Sequence, residues 1–232
     1  MKKKLYVSLV IPVFNNESTI IKQLNEAKKV LQKSADKYEI LVCDDKSTDS
    51  TRKKIEKYFK FDKQIDLIFH SENQGIAKTV FSLYSKAHYE YIVLYSADGD
   101  WQTLDIEKLI ISIIDQNADM VIGKRKNKNY TLYRHFVSFF YNFLPILLFG
   151  VTTYDAGSIK IFKKSLFEKC NFTSKSVFFE AEMIIRATKK GYKIATIPVW
   201  YKRVSDKTGG GGKLSLVFAS LKDIIVLRMQ TL

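Results

Sequence analysis

The chain has 232 residues, 46% of them hydrophobic, enough for one large α/β domain with a real core. Its 38 Lys and Arg against 24 Asp and Glu leave a net charge of +14, which beyond keeping the surface soluble points to an anionic partner. A phosphorylated substrate or a membrane surface fits; with no Arg-rich run or nucleic-acid signature, nucleic acid is not expected. Cys43 and Cys170 are distant and the three His unclustered, which argues against structural zinc and for a reducing, cytosolic setting.

The N-terminus, MKKKLYVSLVIPVF, imitates a signal peptide, but Asn15-Asn16-Glu17 stands where a small-residue cleavage site would be. Leu5–Val13 is therefore read as the first buried strand. Asn15-Asn16 offers a cap for a helix carrying Ile20, Leu24, Ala27 and Leu31 at helical spacing. YEILVC, Tyr38–Cys43, predicts a second strand ending in Asp44-Asp45. Ser47-Thr48-Asp49 can then cap the next helix, which carries Ile55, Tyr58 and Phe59. Asp66–Phe69 is a short third strand, His70–Gly75 a polar loop, and about Ile76–Ala87 a helix. Tyr91–Tyr95 is the fourth strand, Leu104–Ile114 a helix and Asp119–Ile122 a fifth strand. This alternation predicts an α/β fold with a mostly parallel sheet and helices on both faces. Ligands of such sheets bind at the carboxyl ends of the strands, where Asp44, Asp45, Asp98 and Asp100 all fall.

After Gly123 the chain turns basic over Lys124–Lys128, then apolar from Phe136 to Val151 with Ser138, Asn142 and Pro145 interposed. That run is too short and interrupted for a spanning helix, which needs about 20 apolar residues. Two readings stand: a packed pair of core helices, or a helix along a membrane interface with Arg134 and His135 at the headgroups. Ser158–Phe162 predicts a strand, Phe179–Lys190 a helix closed by Gly191, and Tyr192–Val199 a further strand. Four glycines, Gly209–Gly212, precede an amphipathic helix over Lys213–Arg228, which either docks on the domain or lies on a bilayer.

The chemistry centres on YIVLYSADGDW, Tyr91–Trp101. Asp98 and Asp100, one residue apart at a Gly turn, can hold a hard divalent cation that also takes substrate phosphate oxygens; an ordinary acidic turn is the other reading. At the ends of the first two strands, backbone groups from Pro12 to Asn15 could meet a nucleobase. Asp44 or Asp45 could accept a hydrogen bond from it and Glu17 could reach the ribose, or the two Asp could simply cap a helix.

In order along the chain, VSLVIPVFN, EILVCDDKSTDS, Asn73-Gln74-Gly75, the Asp98 turn, Gly123-Lys124-Arg125, DAGSIK, Glu180-Ala181-Glu182 and GYKIATIPV resemble family two glycosyltransferases of the GT-A fold. Among these the polyprenyl-phosphate (dolichyl-phosphate-like) sugar synthases are the most similar. The resemblance implies a Rossmann-like three-layer sandwich over residues 1–208, with an acceptor or membrane-interface segment at about 132–151 and a juxtamembrane tail at 209–232. It implies a nucleotide-diphosphate sugar donor held by Pro12, Phe14, Asn15, Glu17, Asp44, Asp45, Gly75, Lys78, Ala97 and Asp98. Mg²⁺ or Mn²⁺ would sit on Asp98 and Asp100, with Arg125 and Lys124 as further cations for the leaving diphosphate. Similar enzymes usually read Asp-Ala-Asp-Gly-Gln where this chain reads Ser96-Ala97-Asp98-Gly99-Asp100, leaving the role of position 96 open.

Two acceptors are compatible with the resemblance. A sugar hydroxyl needs a general base, for which Asp155 is the candidate. A polyprenyl phosphate is already anionic, needs no base, and would be held by Arg134, Arg203 and Lys207; the positive charge and the apolar segment favour it. Either way, one in-line displacement inverts the anomeric centre. The expected setting is the cytoplasmic face of the cell membrane, peripheral or anchored by segments beyond this chain, with a homo-oligomer possible. A non-catalytic nucleotide-sugar-binding protein is the reading from another class, motivated by Ser96.

Overall fold

The computed structural model describes residues 5–126, 132–202 and 214–230, except the side chains of residues 134–136. Its elements run β1 (Tyr6–Val13), α1 (Ile20–Ser34), β2 (Lys37–Asp44), α2 (Thr51–Phe59), β3 (Ile65–Phe69), α3 (Ile76–Lys86), β4 (Tyr91–Leu94), α4 (Leu104–Asp115) and β5 (Met120–Lys126). Then follow α5 (Leu132–Phe149), β6 (Lys160–Lys163), α6 (Lys164–Glu168), α7 (Phe179–Lys189), β7 (Ile194–Trp200) and α8 (Leu214–Gln230). The sheet has the order β3-β2-β1-β4-β6-β5-β7. All neighbours are parallel except β6, which runs antiparallel to both β4 and β5.

Side chains alternate along each strand and feed two cores. Val7, Leu9 and Ile11 of β1 and Ile40 and Val42 of β2 pack with Ile20, Leu24 and Leu31 of α1, Ile55 and Phe59 of α2, and Ile106 and Leu109 of α4. Val10, Leu41 and Cys43 face the other way, against Val80 and Leu83 of α3, Leu166 of α6, Ile184 of α7 and Ile224 of α8. Because β1 lies between β2 and β4, the crossovers leave it in opposite directions. The crevice above the β1 and β4 ends is therefore the switch point at which such sheets take ligands. The reversal of β6 puts its first residue, Lys160, opposite Leu94 and Ile122, so the loop preceding β6 lies on that same rim.

Several local expectations need correction. The cap of α1 is Thr19, with Asn16 contributing only its carbonyl, which accepts from the Thr19 and Ile20 amides at 3.1 and 3.0 Å. Tyr58 is exposed, since α2 needs only Ile55 and Phe59 to cover the sheet edge. Residues 132–149 form one helix with Pro145 inside it, not a helix pair. In α8 apolar residues point both inward (Ile224, Leu227) and outward (Leu214, Phe218, Ile225), so it lacks the single apolar face its sequence suggested. α6 was not anticipated. β5 continues past Ile122 to Lys126 because Lys124 and Arg125 pair with Pro198 and Val199 of β7. Gly123 permits that pairing: a Cβ there would stand 2.9 Å from Val199 Cγ2 and 3.0 Å from Ile159 Cγ1. The end of α7 is as expected. The Gly191 amide donates to the Thr188 carbonyl at 3.0 Å and the Tyr192 amide to Ala187 at 3.1 Å, with Gly191 at φ 79°.

Candidate active site

Four consecutive loops build one half of the rim. After β1 the chain turns through Asn15 at φ 54°, a conformation Asn tolerates because its short side chain bonds locally. Asn15 Oδ1 accepts from the Thr48 amide at 2.8 Å and its own amide donates to Ser47 Oγ at 2.9 Å. Glu17 accepts from the Ser50 amide at 3.1 Å. Both side chains thus strap the β1 exit to the β2 exit, so the two residues expected to touch the nucleotide directly are bonded within the protein. Phe14 is exposed and Pro12 half-buried in β1. Thr19 Oγ1 donates to the Ala97 carbonyl at 2.6 Å and ties α1 to the β4 exit, a link sequence reading missed.

Asp44 and Asp45 diverge, as successive strand residues must. Asp44 is buried; its Oδ2 accepts from the Ser47 amide at 3.3 Å, and its Oδ1 has no partner among the described residues. Asp45 turns to the opposite face and accepts from His70 Nδ1 at 2.7 Å, the Gln74 amide at 2.8 Å and the Gly75 amide at 2.8 Å. Burial alone would raise the Asp45 carboxyl; the His70, Gln74 and Gly75 bonds outweigh it and hold the group below the usual carboxylate range. Gly75, at φ 81°, opens α3 in a conformation that favours glycine, and Lys78 follows, exposed on the first turn.

The β4 exit carries Asp98 and Asp100. Asp98 Oδ1 accepts from the Asp100 amide at 2.9 Å, closing the turn in which Gly99 takes φ 83°. Burial, then the Asp100 charge, push the Asp98 carboxyl up, while a hydrogen bond from Ser96 pulls it down. Ser96 therefore supports Asp98 where similar enzymes carry an acid. Tyr201, just beyond β7, hydrogen-bonds Asp100. Trp101 and Tyr201 form a β-bridge with ring centroids 5.0 Å apart, and the Lys202 amide donates to the Asp100 carbonyl at 2.9 Å.

A carboxylate raised first by burial and then by its neighbour's charge fits a hard divalent cation, which would offset both through oxygen ligands. No cluster of three or more His, Cys, Asp or Glu ligands forms among the described residues. Two protein carboxylates are sufficient when substrate phosphate and water complete the shell.

Arg125, on β5, leans over Trp101 and Tyr201 with its guanidinium carbon 5.8 and 5.4 Å from their ring centroids. It grips Asp155 in a fork: Nε donates to Oδ2 at 2.9 Å, Nη2 to Oδ1, and the backbone amide to Oδ2 at 3.1 Å. Asp155 is buried. Both Asp155 oxygens accept from Arg125, so the acid read from the sequence as a candidate general base is engaged in this ion pair. The strain nearby is real: Tyr154, a bulky residue, takes φ 54°. Asp98, Asp100, Arg125 and Asp155 are thus joined in one network with Trp101 and Tyr201. The two aromatics were not anticipated; their one signal was position, each directly after a strand-end motif. Arg203 and Lys207 lie outside the described residues, as does the Arg134 side chain.

Both the sheet order and the loop arrangement are those of the GT-A fold. A mannosyltransferase from Pyrobaculum calidifontis, solved with GDP-Man and Mn²⁺, superposes with a TM-score of 0.68 at 18% identity over 99% of this chain and 65% of that one. Glucosyl-3-phosphoglycerate synthase from Mycobacterium tuberculosis, with Mn²⁺, UDP and phosphoglyceric acid, gives 0.72 at 14% identity over 97% and 78%. Residues 8–170 match glycosyl transferase family 2, and the chain belongs to that family. Within it the chain stands near the polyprenyl-phosphate sugar synthases. It is 26% identical over 260 residues to the dolichyl-phosphate beta-glucosyltransferase of Saccharomyces cerevisiae, covering 99% of this chain and 76% of that protein. The uncharacterized protein MJ0544 of Methanocaldococcus jannaschii is 35% identical over 144 residues, and the match spans 60% of each chain.

Proposed function

We propose that this protein is a metal-dependent, inverting glycosyltransferase that moves a sugar from a nucleoside-diphosphate donor to a polyprenyl phosphate at the cytoplasmic face of a membrane. The observation that carries the reading is the Asp98–Asp100 turn on the β4 end, beside Arg125, in a family 2 chain. Mg²⁺ or Mn²⁺ on these carboxylates, when bound, would neutralise charge growing on the departing nucleoside diphosphate. The nucleoside would lie across the β1 and β2 exits, beside the strand end that carries Asp44 and Asp45. Attack by an acceptor phosphate oxygen forms the new bond on one face of the anomeric carbon as the bond to the diphosphate breaks on the other. An acceptor of this kind arrives ionised and needs no base, which suits a site whose Asp155 is held by Arg125. The Mn²⁺ of both solved relatives and the lipid phosphate named for the yeast relative support the same assignment.

Membrane contact would come from α5 and α8. Leu147 is 65% and Phe218 67% exposed, and a cavity of about 210 Å³ opens between the helices, lined by Val137, Phe140, Leu144, Val217 and Leu221 among others. Among the described residues no helix is long and apolar enough to cross a membrane. The decisive experiment supplies purified protein with Mn²⁺, detergent-solubilised polyprenyl phosphate and a panel of labelled nucleotide sugars. A lipid-linked sugar should form, and Asp98→Asn should reduce the rate by about 100-fold or more, at or beyond the roughly 10–100-fold that follows loss of a group merely supporting a metal ligand. Full activity in that variant refutes the metal site; donor binding without lipid-linked product refutes the acceptor.

A further inference from the structure

We propose that His70 is a positioning residue for donor binding, acting through Asp45 on the 73–75 loop that borders the nucleotide. This rests on the reading above that a nucleoside diphosphate binds at the β1 and β2 ends.

Three side chains stand in line at the ends of β2 and β3. Cys43 Sγ is 3.3 Å from His70 Nε2, and His70 Nδ1 is 2.7 Å from Asp45 Oδ1. The order imitates a Cys–His–Asp nucleophilic triad, but Cys43 is fully buried in the core under α3. Burial, then the charges of Asp45 and Asp44, push its thiol up to about 12, so the sulfur keeps its proton and no substrate reaches it. The row therefore works in the opposite direction. The thiol donates S–H to Nε2, which leaves the imidazole proton on Nδ1, and that proton goes to Asp45. Asp45 passes the constraint on: its carboxylate takes the Gln74 and Gly75 amides, and its carbonyl accepts from Asn73 Nδ2 at 3.0 Å. The His70 amide donates to the Asp44 carbonyl at 3.0 Å, fixing the ring's own origin on β2. His70 thus determines where the Asp45 carboxylate points, and Asp45 determines how the chain enters α3. Asp44, the neighbour whose Oδ1 has no partner among the described residues, is carried on the same strand end.

The test exploits which nitrogen matters. Asn at position 70 places its amide nitrogen where Nδ1 stands and keeps the bond to Asp45; Gln places its nitrogen near Nε2 and does not. Isothermal titration of the full chain with UDP and with GDP, each with Mn²⁺, should give His70→Asn a Kd within threefold of wild type. His70→Gln should bind about tenfold weaker or worse, the effect of losing one hydrogen bond to a charged group. Equal Kd values for the two variants, whether both strong or both weak, overturn the role of the Nδ1 donor. Wild-type protein that binds neither nucleotide overturns the donor-site reading itself, and this inference with it. Independently of how the variants fold, ¹⁵N NMR of wild-type His70 should show the Nδ1–H tautomer; the Nε2–H tautomer overturns the proposal.

Discussion

Lys160→Met removes a cation that the structure surrounds completely. The Lys160 side chain has no exposed surface, and Glu180, its ion-pair partner, is 9% exposed. Nζ also donates to the Ala156 carbonyl at 2.5 Å, and the other Glu180 oxygen accepts from Tyr84 at 3.0 Å. Burial first, then Glu180, hold the Tyr84 hydroxyl well above its ordinary range, so it remains a donor and cannot neutralise the carboxylate. Methionine fills the volume but leaves the buried Glu180 carboxylate with the Tyr84 hydroxyl in place of its cation. Removing one partner of a buried pair costs about 3–5 kcal/mol, which for a chain of this size lowers Tm by roughly 6–20 °C. Urea denaturation at pH 7 measures it. Replacing both partners, Lys160→Met with Glu180→Leu, should return stability to within about 2 kcal/mol of wild type, Tyr84 being left with one lost acceptor. A single variant within about 1 kcal/mol of wild type, roughly the measurement error, would show that the pair is solvated and the reasoning wrong.

Gly123→Ala should destabilise by about 1–3 kcal/mol, because its Cβ would overlap the branched Val199. Combined with Val199→Ala, the loss should be at least about 0.5 kcal/mol less than the sum of the single changes in a denaturation cycle. Glu182 sets part of the acid limit. It accepts from the Thr173 amide at 3.0 Å, the Ser174 amide at 2.8 Å and Arg186 Nε at 2.7 Å. Burial would raise its carboxyl, but the Ser174, Arg186 and Thr173 bonds outweigh that and lower it from 4.5. A carboxyl depressed on folding stabilises above its unfolded pKa, and the gain is lost as pH falls from about 4.5 through the native value. Glu182→Gln should therefore be less stable at pH 7 by about 1–3 kcal/mol, with the difference closing only below about pH 4.5 in acid titrations followed by circular dichroism.

Much of the fold could be read before any coordinates, because its signals are local. YIVL and EILVC are apolar runs of strand length, and Ile20, Leu24, Ala27 and Leu31 repeat at the helical period. The acids at the ends of such strands mark the rim in a parallel sheet whatever the neighbour order. Roles were less legible than positions. Asn15 and Glu17 carry the right chemistry for a nucleotide, yet they bond to the β2–α2 turn, a contact made 32 or more residues away. Asp44 and Asp45 are indistinguishable as letters; the strand sends them to opposite faces, and only the faces decide that Asp45 meets His70.

The amino-acid pattern by itself determined an α/β chain of family 2 character with its acids gathered at the carboxyl ends of the strands. Periodicity and turn chemistry act over a few residues, so they survive in a linear reading. Tertiary structure alone decided that β6 enters reversed between β4 and β5, which brings Asp155 under Arg125. It also set β7 beside β5, which lays Tyr201 against Trp101 and Asp100. Those pairings depend on which buried faces fit together across more than a hundred residues in one case and about thirty in the other, and no local spacing records that choice.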